Sequence, residues 1–339
     1  MIAKRINWID WAKVVAIFLV VYGHIPQEKG AQLLSFICTF HMPLFFMLSG
    51  YLVRVCPNED WTAFWHKQWK SLVLPYFLWN LVYYPYWLVW FFLDQHGKFN
   101  LFEVGFKPMM GVLLFQIQSP YSSIVSGVTW FLGALLVMRV LLEFVYKCFS
   151  CKWSMFFLLC GVTILLYIVN PRTDNFCHSL IVEGVLRCTP FFLLGHLLRI
   201  KFFFERLSLS TTFWGALMCL GLSVLFFSGF AHPKSSMALS YIVSVLGCMG
   251  TLLSCRLLDG FSSRIMIRIS AGTIVIMGMH WMCIGSINYV VRIITHAPSI
   301  VYEWYTAFFL SCIILIILYP FIILSSKYFP QLLGRRKIT

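Results

Sequence analysis

The chain has 339 residues, 60% hydrophobic, 18% aromatic and 11% charged, with a mean hydropathy of +0.83. A water-soluble domain carries about 25% charged residues, so this composition excludes a soluble globular protein and points to an all-α, polytopic membrane protein. The net charge of +14 suggests nucleic acid at first sight, but basic loops flanking membrane helices explain it, and no nucleic-acid partner is expected.

Lys4 and Arg5 precede the first apolar run, as in a signal peptide. No small-x-small cleavage site follows; the chain reads Gly23-His24-Ile25-Pro26-Gln27. The run is therefore read as an uncleaved first membrane helix. Apolar stretches long enough to span, about 20 residues each, are predicted at 8–25, 32–53, 72–93, 129–149, 153–170, 181–200, 208–230, 237–258, 271–294 and 301–325, which gives ten helices in one integral-membrane domain over residues 1–339. With the N-terminus inside, seventeen of the 26 Lys and Arg fall in cytoplasmic segments and five in outer ones. That asymmetry predicts both termini in the cytoplasm. The twelve Cys are scattered, many in apolar runs. Cys148 and Cys151 have C-x-x-C spacing but lack a second pair, so no metal site is expected and the cysteines are read as packing residues.

The first helix carries an acid, a base and an imidazole: Asp10, Lys13 and His24. Eleven residues separate Lys13 from His24, close to three full turns, so the two share a face roughly 16 Å apart along the axis. Asp10 lies three residues before Lys13 on that face and is placed to pair with it. Ionisable groups inside a membrane helix are costly and by default mark a site. The plainer alternative is an interfacial ion pair with His24 among headgroups.

The second helix holds Phe40-His41-Met42-Pro43-Leu44-Phe45-Phe46-Met47-Leu48-Ser49-Gly50-Tyr51. Pro43 removes a backbone donor and predicts a kink. Ser49-Gly50 allows close approach to another helix and is not the hydrolase G-x-S-x-G elbow, since residues 47 and 51 are Met and Tyr. His41 is a second imidazole inside the membrane. Further along, Arg139 with Glu143 and Glu183 with Arg187 stand four apart, and each pair is expected to neutralise itself within one helix. Arg187 precedes Pro190, where a broken helix would open it to a cavity. The 94–128 loop, with its apolar stretch Met109–Phe115, is long enough to be functional and is a candidate lid lying on the membrane surface.

Several of these pieces resemble the acyltransferase 3 family, and its fucose 4-O-acetylase-like members in particular. They are Asp-x-x-Lys-x10-His in the first helix, Phe-His-Met-Pro-Leu-Phe-Phe-x-Leu-Ser-Gly-Tyr in the second, and a basic pair before Leu74-Pro75-Tyr76. Thr129-Trp130-Phe131-Leu132, Phe191-Phe192-Leu193-Leu194-Gly195 and His280 also fit. The resemblance implies transfer of an acyl group, usually acetyl, from cytoplasmic acyl-CoA to a hydroxyl of a surface glycan (an exopolysaccharide, for example) or its lipid-linked precursor. It implies a multi-pass protein of the bacterial cytoplasmic membrane, with acetyl-CoA as donor substrate and no metal. Where many members carry Arg-x-x-Arg before the third helix, this chain has Lys67-Gln68-Trp69-Lys70, keeping the charge without the bidentate fork.

Chemistry assigns the roles. Attack of a sugar hydroxyl on a thioester needs a base, and histidine, with an unperturbed pKa of ~6.5, suits it. His24 is the candidate base, with Lys13 and Asp10 beside the donor's path. Asp10 lies too far along the helix to orient His24, so the partner of its second nitrogen is expected from another helix. Arg54, Lys67 and Lys70 crowd the loop between the second and third helices, where donor phosphates could be held. His41, Ser49, Trp130, Arg187 and His280 are acceptor-side candidates. The competing class is a secondary transporter or flippase for a lipid-linked sugar, since buried His and paired charges also serve proton relays. Paired halves with matching broken helices, the mark of that class, are missing from the sequence.

Overall fold

The computed structural model describes residues 5–56, 59–94, 102–113, 128–148, 157, 159–165, 180–229, 237–297 and 299–334. Among them there is no strand, only an isolated bridge between Gln27 and Tyr302. The helices are α1 Asn7–His24, α2 Gln32–Leu52, α3 Trp61–Gln68, α4 Leu74–Asp94, α5 Lys107–Leu113, α6 Trp130–Cys148, α7 Leu180–Ile200, α8 Leu209–Gly229, α9 Met237–Leu257, α10 Arg264–Ala271, α11 Thr273–Thr295 and α12 Trp304–Tyr328. The predicted long helices match α1, α2, α4, α6, α7, α8, α9, α11 and α12 to within a few residues. The predicted helix at 153–170 and most of the 94–128 loop lie outside the described residues. The short α3 and α10 were not foreseen, because eight-residue helices rich in polar groups leave no signal in a twenty-residue apolar window.

Among the described residues, six helices are long and apolar enough to cross a membrane: Gln32–Leu52, Ile181–Ile200, Leu209–Gly229, Ala238–Leu257, Thr273–Thr295 and Trp304–Tyr328. α8 shows the lipid signature directly. Its buried residues are Thr212, Ala216 and Ser223, while Leu209, Phe213, Trp214, Leu217, Met218 and Leu225 are exposed. Small and weakly polar groups inside, large apolar ones outside, is the order that a hydrocarbon solvent imposes.

The chain forms two compact units, Met1–Leu52 with Leu194–Ile323, and Val53–Leu193 with Leu324–Thr339. In the first, α1 is central and packs against α2, α9, α10 and α11. Its N-terminal donors are met from outside the helix: Asp259 Oδ1 accepts from the Trp8 N–H at 2.9 Å, and Arg256 holds the other carboxylate oxygen at 2.8 Å. Small residues of α9 bring it onto α2. The Ser244 hydroxyl donates to Thr39 O at 2.7 Å, and a Cβ on Gly247 would stand 2.8 Å from the Phe40 ring. α2 continues through Pro43. The Ser49-Gly50 region does receive a helix backbone, with Gly195 of α7 as the contact. A Cβ there would stand 1.9 Å from Met47 O and 3.0 Å from Tyr51 N. His196, the next residue, hydrogen-bonds the Gly50 backbone.

In the second unit, Asn80 of α4 donates to Tyr76 O and to the Thr129 hydroxyl, tying α4 to the start of α6. Trp130 fills the space over Gly184, where a Cβ would stand 2.2 Å from the indole. The C-terminal turn Pro330–Leu333 returns to α4, where the Trp79 Nε1–H donates to Leu332 O at 3.1 Å.

Gly195→Ala should therefore lower the thermal midpoint in detergent, by the ~1–3 kcal/mol typical of overpacking or more. Gly221→Ala, in α8 with nothing within 4 Å of the new methyl, should be neutral or gain up to ~1 kcal/mol from helix propensity. Equal midpoints for the two variants would refute the backbone contact.

Candidate active site

Histidines of three helices of the first unit bind in the same way. His24 Nδ1 lies 2.8 Å from Val20 O, His41 Nδ1 3.1 Å from Ile37 O, and His280 Nδ1 3.0 Å from Ile276 O and 2.8 Å from Met277 O. Side chains on a helix lean toward its N-terminus, which brings an imidazole onto the carbonyl four residues back. A carbonyl only accepts, so Nδ1 carries the proton in each ring and Nε2 is left as the basic nitrogen. The expected interhelical partner for the second nitrogen of His24 is thus replaced by its own helix.

The rings converge. His24 and His280 stand 4.9 Å apart between centroids at 67°, and Trp281 meets His24 edge-on at 5.5 Å. His41 lies against Gly23, the residue before His24, with its Nε2 3.8 Å from where a Cβ would be. His24 is half-buried, His41 is 9% exposed and His280 is wholly buried. Trp281 was not anticipated from the sequence; an aromatic beside an intramembrane histidine was its only signal.

Near the other end of α1, Asp10 is 6% exposed. Arg5 grips it through Nε at 2.6 Å and Nη2 at 3.1 Å, and the Ser270 hydroxyl of α10 donates to the same carboxylate. Arg5 had been read only as a topology signal, and Ser270 carried no signal at all. Asp10 therefore clamps the chain before α1 and the end of α10 to α1. Lys13 is half-buried one turn further on.

The second unit carries the basic segment. Lys67 pairs with Glu59 at 2.5 Å, and this hydrogen-bonded partner raises its pKa. Lys70 and Arg54 are exposed and make no ion pair among the described residues. The segment is tied to α6, but not as expected. Arg139 donates to the buried Gln68 at 3.1 Å, and Glu143 faces Lys147 at 3.3 Å without hydrogen-bond alignment. Lys147 also donates to Glu59 O and lies 4.4 Å from the Trp61 ring centre. The predicted Arg139–Glu143 neutralisation gives way to contacts with the α3 region, because Gln68 and Glu59 reach α6 from outside the helix. Trp130 and Arg187 are half-buried in this unit, and Ser49 is half-buried in the first.

Membrane-spanning helices and a cluster of Nδ1-tethered histidines define an integral membrane protein with a base-bearing site. A family profile described as an acyltransferase domain matches residues 6–325, and the chain belongs to this acyltransferase 3 family. No curated protein and no solved structure gives a match.

Asp10→Ala should destabilise the protein by ~1–3 kcal/mol, because the buried Ser270 hydroxyl and Arg5 lose their acceptor. A thermal midpoint in detergent equal to the parent's would show that the clamp contributes nothing.

Proposed function

We propose that the protein is a membrane O-acyltransferase that moves an acyl group, most simply acetyl, from acyl-CoA to a hydroxyl of a surface glycan or its lipid-linked precursor. Membership of the acyltransferase family supports the reaction class. The observation that carries the catalytic assignment is His24, a half-buried imidazole whose Nδ1–H is committed to Val20 O. That bond fixes the tautomer, leaving the Nε2 lone pair free to take a proton.

In the proposed reaction His24 Nε2 removes the proton of the acceptor hydroxyl as its oxygen bonds to the thioester carbonyl carbon. The tetrahedral intermediate collapses with cleavage of the C–S bond. The thiolate leaves and takes the proton back from His24. No electrons are exchanged and no metal is required. The donor's nucleotide phosphates need cations, and of the three between the second and third helices Lys70 and Arg54 carry no ion pair among the described residues. An anion at Lys67 competes with Glu59. Lys13 is proposed to face the donor's acyl end, and His41 and Ser49 to contact the acceptor, with Trp130 and Arg187 as weaker candidates. The excess of Lys and Arg in the loops read as cytoplasmic supports a cytoplasmic position for both termini.

Two experiments test this reading. Surface glycan from cells expressing the protein should be heavier by one acyl group per modified repeat than glycan from cells lacking it, and His24→Ala should abolish the shift at normal membrane abundance. A normal shift with His24→Ala would overturn the assignment of the base. Separately, Lys70→Ala should weaken CoA binding, measured by calorimetry in detergent, by roughly ten- to a hundredfold, the worth of one charged hydrogen bond. Lys67→Ala should do less. The reverse order would show that Glu59 releases Lys67 to the donor.

A further inference from the structure

His280 is used in the site differently from the other two histidines. It has 0% exposure, its Nδ1–H is shared between Ile276 O and Met277 O, and its Nε2 has no hydrogen-bond partner. Native structures rarely leave a buried acceptor unmet, and an exception calls for a use. Nδ1 is anchored to the backbone of α11, so Nε2, across the ring, is directed away from that backbone. α1 is one of the helices packed on α11, and it presents the His24 ring 4.9 Å from that of His280.

During acyl transfer His24 becomes an imidazolium in a low-dielectric setting. Its only hydrogen-bond partner among the described residues is Val20 O. Among the described residues no carboxylate forms a hydrogen bond or ion pair with it. Asp10 lies at the far end of α1 and is held by Arg5 and Ser270. The titratable residues of α2 before Tyr51 are Cys38 and His41, and α9 has Tyr241 and Cys248 before Cys255 and Arg256 near its end. Among the described residues, then, no acid hydrogen-bonds His24 in the manner of a triad, while His280 Nε2 beside it has no hydrogen-bond partner.

We infer that His280 is a positioning residue for His24: the lone pair of its buried Nε2 is the negative pole that steadies the His24 ring when that ring carries the extra proton. This rests on His24 being the base. His280 neither touches substrate nor gains a proton in the step. It acts by presenting the negative end of a fixed imidazole dipole to the cation that forms, which strengthens the interaction in the transition state relative to the ground state. The double anchor on Ile276 O and Met277 O prevents the ring from turning its N–H toward His24.

The test uses the full-length protein in detergent, labelled acetyl-CoA, and glycan acceptor extracted from cells lacking the protein. His280→Phe keeps an aromatic ring and removes the acceptor. It should lower kcat roughly ten- to a hundredfold, with KM for acetyl-CoA changed less than about twofold, as expected when a fixed dipole is withdrawn from a charge that develops in the transition state. Its thermal midpoint should hold or rise, because an unmet buried acceptor is gone. His280→Gln, which restores an acceptor oxygen, should recover most of the loss. A Phe variant with the parent's kcat, or a Gln variant no better than Phe, overturns the inference. If the Phe variant does not accumulate, His280→Leu takes its place against the same criteria. His24→Gln separates the two levels. An inactive His24→Gln with a normal His280→Phe removes only this inference, whereas an active His24→Gln removes the base assignment beneath it.

Discussion

Polar side chains in an apolar solvent must find their partners close by, and here the nearest partner is the carbonyl one turn back in the same helix. Besides the three histidines, Asn80 bonds Tyr76 O, Thr189 bonds Val185 O, Thr251 bonds Gly247 O, Ser254 bonds Gly250 O and Ser311 bonds Ala307 O. Without water to compete, a buried hydroxyl or imidazole left unmet is expensive. The helix supplies an acceptor without any help from tertiary structure. What is elsewhere a mild perturbation of a helix becomes the general solution for polar groups in this protein.

For hydroxyls that solution is only storage. For histidines it is also chemistry, because it consumes the N–H and leaves the basic nitrogen outward. His24, His41 and His280 are thereby set in the same tautomer by local geometry alone. What distinguishes them is exposure. His24 is half-buried, while His280 beside it is fully buried with an acceptor unmet among the described residues. One local rule applied at three depths yields a candidate base and its candidate support.

Charge is managed in another way. Arg5 and Ser270 hold Asp10, Asp259 caps α1 and pairs with Arg256, and Lys147 joins Glu143 to the Glu59 backbone. These contacts sit at helix ends and between elements, where a misplaced charge would otherwise have to be desolvated alone. The exposed cations Lys70 and Arg54 stand outside this scheme, and that sets them apart from Lys67 as candidates for an anionic ligand.

The amino-acid order alone determined the membrane class, the positions of the long helices and the family. Those signals are local: apolar length, and short motifs such as Asp10-x-x-Lys13 followed by His24, do not depend on what packs where. It also singled out His24, His41 and His280 individually. The tertiary structure decided which of them meet, since α11 lies far along the chain from the consecutive α1 and α2 and only packing brings His280 beside His24. It decided the partners of charged groups as well. Arg139 goes to Gln68 rather than Glu143, and Asp10 goes to Arg5 and Ser270, because i,i+4 spacing states what can pair within a helix and is silent about competitors arriving from outside it. Even the tautomer of His24, a local matter, became legible only with the ring's rotamer, which a sequence does not specify.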